Sequence, residues 1–139
     1  MANKKPEDIV RDTLNKLWNG GQTTAIDELY DSDVRITVPG ATFRGRDGIQ
    51  QFMGMYHDAF PDMQVENLGF YPHQREEGGV LHWRFTGTHQ GSLMGIEPTN
   101  KRVSIEGFTE SRMKDGRIIE ENFLWDRLEQ MNQLDVSPE

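Results

Sequence analysis

Two side chains that exchange protons stand at the ends of strand-like segments. His89 lies near the start of the stretch from Gly87 to Val103, which is rich in Gly, Pro and Asn. Its imidazole titrates near neutral pH and could act as an acid or donate a hydrogen bond to a substrate oxygen. Asp126 ends the last strand-like segment, where a partly desolvated carboxylate could be a general base. Together the two residues indicate acid–base chemistry.

Both residues also have a structural interpretation. An imidazole in a loop often bonds only to backbone or solvent. Asp126 is followed three residues later by Glu129, which is the spacing of a helix cap. Asp126 could therefore begin a terminal helix, serve as a base, or do both.

Alternation along the last strand indicates which side chains accompany Asp126. One face would carry Glu120, Asn122, Leu124 and Asp126, and the other Glu121, Phe123 and Trp125. The first face mixes polar and apolar groups, which suits a cavity wall, and Asn122 could donate a hydrogen bond there. On another strand, Arg84 could bind a carbonyl or anionic oxygen, or form an ion pair on the outer face of the sheet.

Two helical stripes supply aromatic and apolar side chains for a pocket wall. The wall candidates are Trp18, Phe52, Met53 and Tyr56. Stripes at this spacing also form ordinary hydrophobic cores. With Asn122 and Arg84, these residues are the substrate-binding candidates.

The elements that must position these residues are three early helices and a series of strands. Helices are predicted over Pro6 to Trp18, Thr24 to Tyr30 and Asp47 to Phe60, with a terminal helical turn from Arg127 to Leu134. Strands are predicted over Val34 to Val38, Met63 to Tyr71, Val80 to Thr88, Val103 to Met113 and Arg117 to Trp125. Asp115-Gly116 predicts a tight hairpin between the last two strands. The order indicates one α+β domain over residues 1–139, with helices on a curled antiparallel sheet around a pocket.

The composition of the chain limits the classes of partner that it could bind. The chain has 139 residues, a net charge of −8 and no cysteine. The acidic balance argues against nucleic acid, and no apolar run is long enough to span a membrane. No metal-ligand, dinucleotide or phosphate-loop motif occurs, so no cofactor is expected. These features predict a soluble, cytoplasmic protein whose partner is a small apolar molecule.

Several short motifs, read together, resemble the SnoaL-like polyketide cyclase (ester cyclase) family of the nuclear transport factor 2-like superfamily. They are Phe60-Pro61-Asp62-Met63, Gly87-Thr88-His89-Gln90-Gly91, Met94-Gly95-Ile96, Pro98-Thr99, Asp115-Gly116-Arg117-Ile118-Ile119-Glu120 and Trp125-Asp126. The resemblance implies a cone-shaped barrel of three helices on a strongly curved sheet, and a homodimer. It also implies a cofactor-free intramolecular aldol reaction. The family's catalytic aspartate would fall on Asp126 or on the position of Asn122.

Three hypotheses follow. The first is an acid–base enzyme in which Asp126 takes a proton and His89 holds the developing oxyanion. The second is an epoxide hydrolase or isomerase in the same pocket. The third is a binding module without turnover.

Overall fold

In the computed structural model, which describes residues 5–136, helices pack on a six-stranded sheet. The helices are α1 (Pro6–Asp12), α2 (Ile26–Leu29), α3 (Gly45–Ala59) and α4 (Arg127–Gln133). The strands are β1 (Tyr30–Val38), β2 (Ala41–Arg44), β3 (Gln64–Pro72), β4 (Gly78–Thr88), β5 (Arg102–Lys114) and β6 (Arg117–Trp125). The predicted α+β architecture, with helices on a sheet, is confirmed.

The sheet order is β2-β1-β6-β5-β4-β3. Four neighbouring pairs are antiparallel, but β1 runs parallel to β6. The sheet is therefore mixed rather than wholly antiparallel, and it does not close, because β2 and β3 form its edges. The short strand β2 was not predicted. It has only four residues and begins directly after the turn at Pro39 and Gly40, so it is too short to show a clear alternation.

The hairpin between β5 and β6 turns at the predicted dipeptide. Asp115 and Gly116 both have positive φ, at 52° and 80°. This backbone conformation matches the twist of two antiparallel strands joined by two residues. The turn sets β6 beside β5 over most of its length, and β6 carries Asn122 and ends directly before Asp126.

The first helix changes its winding midway. After α1, residues Thr13–Trp18 form a π-helix, in which the Asn19 amide donates to the Leu14 carbonyl at 2.8 Å. The Asn19 side chain then binds the backbone of Val65 in β3 through bonds of 2.7 and 2.9 Å. The helix end is thus fixed to an edge strand, at the rim of the space between the helices and the sheet.

No helix within residues 5–136 combines the length and apolar character needed to cross a membrane.

Candidate active site

A cavity of about 60 Å³ lies between the helices and the sheet, as predicted. Its apolar wall comes from every layer of the fold: Val10, Leu14, Trp18, Phe52, Tyr56, Val65, Leu81, Trp83, Phe85, Ile105, Phe123 and Trp125. Polar groups reach it from Thr13, Thr109, Ser111, Glu121 and Gln130. A mostly apolar hollow with a few convergent polar groups is the usual form of a small-molecule site.

Within residues 5–136, Glu121 supplies the only carboxylate of the cavity wall, and a β-bulge aims it inward. Arg112 pairs with Glu120, but Met113 pairs with Ile118, so β6 holds one extra residue, Ile119. The extra residue reverses the alternation of side chains along the strand. Ile118 and Glu121 are therefore both buried.

The cavity face of β6 is thus the opposite of the predicted one. Glu121, Phe123 and Trp125 line the cavity, whereas Asn122 and Leu124 do not. The predicted grouping of side chains holds, because the extra residue, Ile119, lies before Glu120, but the face that turns inward is the one with the two aromatic rings.

The Glu121 carboxylate is held by two hydroxyl groups. The buried phenol of Tyr30 donates to Oε1 at 2.7 Å, and the Ser111 hydroxyl lies 3.4 Å from Oε2. Burial nevertheless raises the pKa of Glu121 to about 7, against an ordinary value of 4.5, although both hydrogen bonds oppose the shift. A carboxyl group with such a pKa is poised to take or give a proton at neutral pH.

Two further polar groups belong to residues of the cavity wall. The Tyr56 hydroxyl is buried and makes no well-formed hydrogen bond within residues 5–136, although the Gln130 side chain lies near enough to affect its pKa. Burial raises the pKa of Tyr56, while the Gln130 side chain and the Arg127 charge oppose the shift. The Thr109 hydroxyl accepts a bond of 2.8 Å from the Trp83 indole, so its own proton is free to be donated. A ligand oxygen would satisfy the Tyr56 hydroxyl.

Asp126 lies outside the cavity and caps α4. Its side chain is exposed and accepts a hydrogen bond of 2.9 Å from the Glu129 amide. This is the capping geometry that the Asp-x-x-Glu spacing predicts. The structure therefore does not bring Asp126 into contact with the buried hydroxyl groups around Glu121.

Substitution of Asp126 by Ala is expected to lower the free energy of unfolding by about 1 kcal/mol, because the first turn of α4 loses its acceptor. Asp126→Asn keeps a side-chain oxygen and is expected to stay near the wild-type stability. Urea denaturation of the three proteins checks this. Equal losses in both variants would show that the carboxylate charge, and not the cap, is what matters.

His89 is buried at the base of the loop and also lies outside the cavity wall. Its Nδ1 accepts a hydrogen bond of 3.2 Å from the Thr99 amide, so the neutral ring carries its proton on Nε2. The ring packs on Phe60, with centroids 5.5 Å apart. Burial lowers the pKa of His89. In this position the imidazole holds both ends of the loop together, as do the backbone bonds of His89 to Lys101 and Asn100.

The structure divides the predicted binding residues into two groups. Trp18, Phe52 and Tyr56 line the cavity. Met53 is buried in the core but is not on the cavity wall. Arg84 lies on the outer face of the sheet and forms ion pairs with Glu66 and Glu106, which is the second of the two roles predicted for it. Asn122 is half-buried and donates to Glu110 at 3.1 Å.

The described residues, 5–136, contain no group of three or more His, Asp or Glu side chains placed to hold a metal ion.

Comparison with known proteins identifies the class to which this fold and site belong. The model of the SnoaL-like polyketide cyclase family matches residues 8–134, and the chain belongs to that family. A comparison with proteins of curated function finds no match.

Solved structures share the fold over nearly the whole chain. A protein from Jannaschia sp. CCS1, assigned as a SnoaL-like polyketide cyclase, is 19% identical with a TM-score of 0.87, covering 98% of this chain and 95% of that one. IdmH from Streptomyces antibioticus, assigned as a polyketide cyclase, is 25% identical with a TM-score of 0.79 over 96% and 100% of the two chains. AclR from Streptomyces galilaeus, assigned as a hydroxylase, is 24% identical with a TM-score of 0.79 over 96% and 87%. Relatives with one fold are thus assigned to different reactions, so the site must decide the chemistry.

Proposed function

We propose that the protein is a cofactor-independent acid–base enzyme of the polyketide-cyclase type, acting on a small, mostly apolar ketone or keto ester. The observation that carries the proposal is Glu121, a carboxyl group buried in an apolar cavity with a pKa of about 7. Burial of an ionisable carboxyl group lowers the stability of the fold, because burial penalises its charge. A group retained at that cost is expected to serve a function. Family membership supports the cyclase-type role.

In the proposed reaction, Glu121 removes a proton from the carbon next to a carbonyl group. The electron pair of the C–H bond moves into the carbonyl, and its oxygen becomes an enolate. The Tyr56 hydroxyl, which makes no well-formed hydrogen bond within residues 5–136, donates a hydrogen bond to that oxygen. The enolate carbon then attacks a second carbonyl of the same molecule. A carbon–carbon bond forms, and the new alkoxide takes back the proton from Glu121.

Tyr30 and Ser111 act as positioning residues in this scheme. Their hydroxyl groups hold the two carboxylate oxygens and stabilise the ionised form. Asp126 and His89 keep the roles of helix cap and loop anchor, and we assign the base to Glu121 instead of Asp126.

The proposal is tested with proton exchange in heavy water. A panel of aryl ketones that exchange slowly on their own, such as tetralone and indanone, is incubated with the protein and followed by proton NMR. Wild-type protein is expected to speed the loss of the α-proton signal for at least one panel member, and Glu121→Gln is expected not to do so. Bound but unexchanged ligands would instead favour the binding module. Conversion of an epoxide into a diol that carries oxygen from labelled water would favour the hydrolase.

A homodimer and a cytoplasmic location stay predictions from the sequence.

A further inference from the structure

A second hollow, of about 80 Å³, lies next to the cavity of Glu121. Phe52, Tyr56 and Trp125 line both spaces. Their rings contact one another: Tyr56 meets Phe52 edge-on with ring centroids 5.5 Å apart, and Trp125 with ring centroids 6.1 Å apart. A ligand in one hollow therefore touches the same three rings as a ligand in the other.

The wall of the second hollow is apolar except at one place. It is built from the β1–β2 turn, α3 and the tip of the loop that His89 anchors: Val38, Pro39, Ala41, Phe43, Met55 and Met94. Among the side chains that the structure describes, its one charged group is the guanidinium of Arg127, from the first turn of α4, and no carboxylate lines this hollow.

Arg127 is exposed, and no ion pair or side-chain hydrogen bond joins it to another residue within 5–136. It stands in the first turn of a helix, where the unpaired amide groups disfavour a cation. Its guanidinium lies against Gly40, where an added Cβ would come within 2.6 Å of Nη1. Gly40 thus leaves room for the guanidinium beside the β1–β2 turn.

We infer that the second hollow binds a carboxylate arm of the substrate, with Arg127 as its partner. A planar guanidinium fits a carboxylate through two parallel hydrogen bonds. The surrounding apolar and aromatic wall fits an unsaturated or aliphatic arm next to that group. The inference deepens the proposed function and rests on it, because it makes the substrate a keto acid that spans both hollows.

Arg127 places a positive charge beside this hollow in a protein whose net charge is negative. The net charge of −8 repels anions in general. A carboxylate would gain at Arg127 because the guanidinium meets no competing acidic side chain in this hollow. An acid bound there would direct its body past the Tyr56 hydroxyl and toward Glu121.

The test compares two unreactive probes that differ only in charge, naphthylacetate and its neutral amide. Binding is followed by the fluorescence of Trp125, Trp18 and Trp83, which line the cavities. Wild-type protein is expected to bind the acid at least about tenfold more tightly than the amide, as a charged hydrogen-bonded pair would give. Arg127→Gln is expected to remove this preference while leaving amide binding unchanged, and Arg127→Lys to keep part of it.

Two further variants separate this inference from the proposed function. Arg11→Gln removes an exposed arginine of α1 that pairs with Glu7 and Asp8, and it is expected to keep the full preference. Glu121→Gln is expected to keep the preference for the acid although it loses proton exchange. Equal affinity of the wild-type protein for acid and amide, or a preference that survives Arg127→Gln, overturns the inference and leaves the assignment of Glu121 untouched. Proton exchange that survives Glu121→Gln overturns that assignment and leaves the carboxylate site standing.

Discussion

Replacement of Glu121 by Gln is expected to lower kcat by about 10²- to 10⁴-fold, which is the usual contribution of a positioned general base. The substitution keeps the size of the side chain and an oxygen that accepts from Tyr30, so the cavity should keep its shape. KM is expected to change little, because the carboxylate acts on the C–H bond only as it breaks. Steady-state kinetics on the ketone identified by proton exchange measures both constants.

The matched control is Glu120→Gln on the same strand. Glu120 faces away from the cavity and forms an ion pair of 2.8 Å with Arg35, and its pKa is lowered chiefly by that hydrogen bond. The control is expected to retain turnover. If Glu121→Gln retained turnover as well, the base would lie elsewhere, and Asp126→Asn would be the next variant to measure.

The pH profile gives a second readout of the same group. Because the base must be ionised, kcat/KM of the wild-type protein is expected to rise with pH through about 7, the pKa of Glu121. Tyr30→Phe removes the donor that stabilises the ionised carboxylate. The rising limb is then expected to move to higher pH, which a purely structural role of Tyr30 would not cause.

The fold could be predicted from the sequence because its signals are local. The apolar stripe of α3 and the Asp115-Gly116 turn each specify their element within a few residues. The parallel contact between β1 and β6 could not be predicted in the same way. The two strands are separated by most of the chain. No pattern within either strand indicates whether they pair in parallel or antiparallel.

The side chains of β6 were grouped correctly from Glu120 onward, because the extra residue, Ile119, precedes them. The cavity was assigned to the other face, since a mixture of polar and apolar groups was taken to indicate a cavity wall. The inward face instead carries Glu121 together with the aromatic rings of Phe123 and Trp125. The cap at Asp126 was readable from spacing, whereas the inward position of Glu121 depends on the register of β5 and β6.

The contribution of Arg127 was hidden for a different reason. Its surroundings come from the β1–β2 turn, α3 and the loop tip, which are far apart in the sequence. Arg127 is exposed, and nothing in the residues next to it distinguishes it from any other arginine on a helix. Only the assembled fold shows that its side chain lines an apolar hollow that no acidic side chain of residues 5–136 lines.

Glu121 is also expected to make the folded protein less stable as the pH rises, in contrast to a paired surface carboxylate. Its pKa is about 7 in the folded state and 4.5 in its ordinary environment, so the folded protein binds this proton more tightly than the unfolded chain. Below both values the group is protonated in both states and costs nothing. Between them the unfolded chain releases the proton first, and the free energy of unfolding falls, by an amount on the order of 3 kcal/mol once the pH exceeds the folded pKa.

The measurement is urea denaturation of wild-type protein and Glu121→Gln from about pH 5 to about pH 8, with the difference between the two taken at each pH. Contributions of other groups, including His89, whose lowered pKa acts in the opposite direction below its ordinary value of 6.5, occur in both proteins and cancel. The variant is expected to gain stability over the wild type as the pH rises through this window. The difference between wild type and Glu120→Gln should stay flat in this window, since the Arg35 bond lowers the pKa of Glu120 below its ordinary value of 4.5 and its effect on stability changes only below that value. Parallel curves for wild type and Glu121→Gln would mean that the carboxylate is ionised without penalty. A carboxylate of that kind has an ordinary pKa, and it would be too weak a base at neutral pH for the proton abstraction proposed here.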